Sequence, residues 1–124
     1  MDLAELLNKV SEVEESFKVA TPKFFGDLKD TFSGLMEDAE SAGDEFKKLV
    51  EETIGDAMEV ADALSKGELE VGEAMEALTR YQASLENYAD AAKLAVVSQI
   101  KDTLLKILFN VINVGCHLLA GGLK

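Results

Sequence analysis

Apolar residues recur every three or four positions along almost the whole chain, a period that predicts helices and no strands. Leu3, Leu6, Leu7, Val10, Val13 and Phe17 form one face of an amphipathic helix over 2–20. Thr21-Pro22 ends it, because the residue before a proline is driven out of helical geometry. The same pair opens the next helix, with Thr21 as N-cap and Pro22 at the first helical position. From there a seam runs through Phe25, Leu28, Phe32, Leu35, Ala39, Ala42, Phe46, Leu49 and Thr53 in alternating steps of three and four, a coiled-coil heptad. A stutter after Thr53 carries it on through Ala57, Ala61 and Leu64. Gly26, Gly34, Gly43 and Gly55 weaken helix here, and Ser41-Ala42-Gly43-Asp44 is where it would break. The unbroken seam across Gly43 favours one long helix over 22–65.

Ser65-Lys66-Gly67 reads as a helix stop with a glycine cap. A third helix follows over 69–120, with Val71, Met75, Leu78, Leu85, Ala89, Ala92 and Val96 on its inner face and Tyr81 and Tyr88 flanking. Ending before Gly121-Gly122, it would be roughly 75 Å long. The expected fold is all-α: a single domain over 1–124, with a short N-terminal helix and two long antiparallel helices. That is a helical hairpin or a three- to four-helix bundle, with 41–44 as the place where the second helix could break.

Charge changes this picture by dividing the chain. Residues 1–90 hold 23 Asp and Glu against 8 Lys and Arg, whereas 91–124 hold one acid, Asp102, against four lysines. The net charge of −12 argues against nucleic acid as a partner, since phosphate binding needs a basic surface. The tail is apolar around most of its circumference: Leu104, Leu105, Ile107, Leu108, Phe109, Val111, Ile112, Val114, Leu118 and Leu119. Gln99, Thr103, Lys106, Asn110, Asn113 and His117 draw one narrow polar line along it. Such a helix is a core helix whose polar line reaches solvent, a helix packed among copies of itself, or a membrane-contacting one. A span is disfavoured, because the uncharged run Ile107–Leu123 is 17 residues and contains Asn110, Asn113 and His117.

Chemistry finds little purchase. Asp62 to Glu73 imitates a calcium loop with Gly67 at the sixth place, but Leu64 and Lys66 stand at the third and fifth, where calcium needs oxygen donors. Cys116 and His117 are neighbours on a helix and point about 100° apart, which does not suit a nucleophile–base pair. One His and one Cys do not make a structural zinc set, and no Glu-x-x-His pair supplies a di-iron site. Glu14/Glu15, Glu37/Asp38/Glu40 and Glu51/Glu52 read as solvated helix faces. No catalytic residue, metal or cofactor is expected, and no enzyme. The opening Met-Asp-Leu-Ala-Glu carries no cleavable signal, so a cytoplasmic, non-Sec exported or virion protein is expected.

The stretch Gly67-Glu68-Leu69-Glu70-Val71-Gly72-Glu73-Ala74-Met75-Glu76-Ala77-Leu78 resembles the core segment of the flagellar hook–basal-body adaptor protein at the base of the rod. Tyr81-Gln82-Ala83-Ser84-Leu85 and Ile100-Lys101-Asp102-Thr103-Leu104-Leu105-Lys106 are similar to inner-rod subunits of type III secretion injectisomes. The resemblance covers Gly67 to Lys106, about a third of the chain, and implies a small helical rod subunit with no catalytic residues.

Three classes of function follow. In the first, a structural subunit packs with copies of itself or with another helical protein, as in a secretion rod or a phage virion. Its interaction residues would be Phe25, Leu28, Phe32, Leu35, Phe46 and Leu49 on the seam, with Leu104, Ile107, Leu108, Val111, Ile112, Leu118 and Leu119 on the tail. In the second, a small acidic bundle is an adaptor for a basic protein and the tail is its own core. A membrane-associating bundle is a third, lesser expectation.

Overall fold

The computed structural model describes residues 3–17 and 22–119, and the elements found among them are all helices. They are α1 (Leu3–Phe17), α2 (Pro22–Ser41), α3 (Asp44–Ser65), α4 (Val71–Ala92) and α5 (Ala95–Leu119). The all-α class is as expected from the period, but both long helices are divided. Thr21 and the end of the first helix lie outside the described residues, as do Gly121-Gly122.

The helix expected over 22–65 breaks at Ala42-Gly43. Gly43 takes φ 114° and ψ 156°, a conformation essentially reserved for glycine. It is the N-cap of α3, and its carbonyl accepts the first helical bond from the Lys47 amide at 3.1 Å. Asp44 and Glu45 in the first turn of α3 favour a new start there by opposing the helix dipole. The seam survives because both halves turn it inward: Phe25, Leu28, Phe32, Leu35 and Ala39 on α2, then Phe46 and Thr53 on α3, are buried.

The corner after α3 follows the expected glycine stop. The Glu68 amide donates to the Ala63 carbonyl at 2.9 Å and Gly67 donates to Leu64 at 3.1 Å, with Gly67 at φ 75°. That is the paired-bond helix ending that a left-handed glycine permits. Glu70 then caps α4 in a reciprocal capping box with Glu73, whose Oε1 accepts the Glu70 amide at 3.3 Å.

The helix expected over 69–120 also ends early. It stops at Ala92, Lys93 adopts φ 54° and ψ 34°, and α5 starts two residues later. A left-handed lysine costs about 1–2 kcal/mol. Burial on the fold-back more than offsets this, since Val97, Ile100, Leu104, Leu108, Val111 and Ile112 all become buried. Each such side chain contributes roughly 1.5–3 kcal/mol.

α3 is the hub and touches the other four helices, while α5 lies against α2, α3 and α4, and α1 against α2 and α3. Phe46 stacks on Tyr88 with ring centroids 5.1 Å apart, tying the start of α3 to the end of α4. Tyr81 Oη donates to the Asp56 carboxylate between the same helices. Lys9 pairs with Glu59 across α1 and α3, and Lys29 with Glu14 at 3.8 Å across α2 and α1.

Candidate interaction surface

The residues expected to bind copies or partners are mostly occupied within the chain. Phe25, Leu28, Phe32, Leu35 and Phe46 are buried, and Leu49 is half-buried. On α5, Leu104, Leu108, Val111 and Ile112 are buried and Ile107 is half-buried. The Leu118 and Leu119 side chains lie outside what is described. The polar line Gln99, Thr103, Lys106, Asn110 and Asn113 is exposed along its length, as expected of a core helix with one wet edge. Asn110 and Ile107 also border a shallow groove with Asp27, Leu28 and Thr31 of α2.

Among the described side chains the molecule therefore shelters the inner face of its tail. Its accessible surface is 6908 Å², against about 6,500 Å² expected of a stand-alone folded chain of this mass. Among the described residues few large apolar side chains remain outside: Leu94 at the joint of α4 and α5, and three others. Val71 on α4 is 42% exposed, Met75 41% and Phe109 on α5 51%. The helical period puts Val71 and Met75 on an inner face, and the structure instead leaves them outside.

Topology brings these three to one end of the α4–α5 pair. The helices are antiparallel neighbours joined by two residues, so positions equally far from the joint lie side by side. Leu78 stands 14 residues before Ala92 and Phe109 14 after Ala95, with Met75 one turn further out. Val71 and Met75 lie on a flank of α4 turned from Tyr81 and Tyr88, which engage α3, with buried Leu78 between the two. Phe109 lies on the flank of α5 opposite Ile107, the residue that faces α2, with half-buried Leu105 and Cys116 on the same flank. The result is an apolar strip along the outer α4–α5 seam.

Its α4 side is acidic, while on α5 the exposed Lys106 stands one turn before Phe109. Between Lys66 and Ala92 the only cations are Lys66 and Arg80, against Glu68, Glu70, Glu73, Glu76, Glu86 and Asp90. Lys66 itself is paired with Asp62 at 2.9 Å, which raises its pKa above the ordinary lysine value. The same pairing, with the Glu70–Glu73 cap, occupies both ends of the calcium-like stretch. Among the described residues no group of three His, Cys, Asp or Glu side chains is arranged to hold a metal ion. Nor, among them, is any helix long and apolar enough to cross a membrane.

The exposure of Val71 and Met75 was hidden in the sequence because they follow the helical period of the core. Only the way α5 lies against α4, which leaves these two side chains outside the contact, makes them a surface. No protein-family model, curated protein or solved structure matches this chain.

Proposed function

We propose that this protein is a non-enzymatic binding module: a small acidic helical bundle that docks a basic amphipathic helix of another protein along the α4–α5 seam. The observation that carries this reading is the exposed Val71, Met75 and Phe109 strip beside the acids of α4, on a molecule that already buries Leu104, Leu108, Val111 and Ile112 of its apolar tail. An amphipathic helix lays apolar anchors into such a seam. The acids beside it attract a basic partner and raise its association rate. A scaffold of this kind contributes shape and charge rather than chemistry.

The test is a titration of the full chain with a synthetic Leu/Lys amphipathic helical peptide, followed by fluorescence anisotropy. Binding should weaken steeply with added salt, because the charges involved are exposed and screened. Met75→Ser together with Phe109→Ser should weaken it at least about tenfold, the loss of two modest anchors. Both side chains are exposed, so the double variant should melt like the parent. Equal binding by parent and double variant would reduce the effect to unspecific charge attraction and refute the docking seam. No binding in dilute buffer would refute the reading altogether.

A further inference from the structure

The three described corners inside the α2–α5 region are not alike. Two turn on glycine, Gly43 at φ 114° and Gly67 at φ 75°, where the bend strains nothing. The third, between α4 and α5, turns on Lys93, the only non-glycine residue with positive φ among those described. Around it the sequence is Ala91-Ala92-Lys93-Leu94-Ala95, made wholly of strong helix formers with neither glycine nor proline. Leu94 is 48% exposed, an apolar side chain left outside by the turn. The apolar pattern of α4 runs through the joint without interruption, from Leu85, Ala89 and Ala92 to Val96. By residue propensity, then, this segment favours helix. It bends only because α5 gains more by packing back on α2, α3 and α4.

We infer that α5 is exchangeable between copies: residues 92–95 straighten, α4 and α5 become one helix, and each copy's α5 fills the seat vacated in the other. Exchange keeps the contacts of Val97, Ile100, Leu104, Leu108 and Val111, because the seat is chemically the same in a second copy. It releases the left-handed lysine and lets the amides at the start of α5 bond along a continuous helix. Short strained connectors of this kind favour exchange. Opposing it are the lost freedom of one molecule and the repulsion between two chains of net charge −12. The monomer therefore dominates in dilute, low-salt solution, and crowding of like chains with screening salt shifts the balance to the dimer. This inference is independent of the docking seam: salt weakens that binding and strengthens exchange.

The experiment refolds the full chain from denaturant at low and high protein concentration, each in dilute buffer and in molar salt. A reductant keeps Cys116 from bridging copies, and mass is read by size exclusion with light scattering. The parent should yield a dimer at high concentration and salt that survives dilution, since parting requires α5 to leave its seat. Ala95→Pro fits the first turn of α5 but not the interior of a continuous helix, so it should weaken the dimer at least about 100-fold. Lys93→Gly, which eases the bend and disfavours the straight form, should lower the dimer fraction while keeping the parent's helical circular dichroism. A parent that stays monomeric in all four conditions overturns the inference. So does a dimer that forms equally well in both variants, because it then assembles through another surface.

Discussion

Tyr81 and Asp56 show how one side-chain pair reports the α3–α4 contact. Burial, and then the hydrogen bond to Asp56, raise the Tyr81 phenol well above its ordinary pKa of 10.0. The unfolded chain therefore loses this proton first as pH rises. The pair's contribution is complete below about pH 10 and declines above it, as the unfolded state ionises ahead of the folded one. Tyr81→Phe should cost about 1 kcal/mol at neutral pH and flatten the alkaline fall in stability, measured by urea unfolding from pH 8 to 11. Glycines at two positions should respond with opposite signs. Gly43→Ala should destabilise by about 1–3 kcal/mol through its backbone angle alone, as no atom lies within 4 Å of the added carbon. Gly34→Ala, inside α2 with equally open space, should stabilise by about 0.5–1 kcal/mol. Equal effects of the two in denaturant melts would deny the turn at Gly43.

At the scale of the helix, α5 decides most about the fold. Its Leu108 is fully buried while the next residue, Phe109, is half exposed. Leu108→Ala should therefore cost about 2–5 kcal/mol and Phe109→Ser within about 0.5 kcal/mol, read as chemical-denaturation midpoints. A mild Leu108→Ala would place that face outside the core and favour an assembly interface. The helix periods and the glycine stop at Gly67 were legible because they depend on neighbours in sequence. The joint at Lys93 was not, since Ala-Lys-Leu-Ala carries no breaking signal and its bend exists only through distant contacts. The break at Gly43 was half legible: the glycine marked the place, while the continuous seam argued the other way. That seam stays inward on both sides of the turn, so hydrophobic periodicity alone cannot tell one helix from two.

For the whole molecule, the charge division acquires a structural meaning. The nearly neutral tail packs on a body that holds almost all the acid, so the chain's repulsion stays on its surface while Leu104, Leu108, Val111 and Ile112 of its most apolar helix stay inside. Removing 104–124 takes Leu104, Leu108, Val111 and Ile112 out of the core at once. The truncated chain should lose cooperative melting in calorimetry. Local pattern determined the all-α class, the amphipathic faces, the wet edge of the tail and the acidic exterior. It did so because period, caps and charge act over a turn or two of helix. Tertiary packing decided that Lys93 bends, that α3 is the hub, and that Val71, Met75 and Phe109 remain outside. Those outcomes depend on which helix covers which face, a competition among long-range burials that no short stretch of residues encodes.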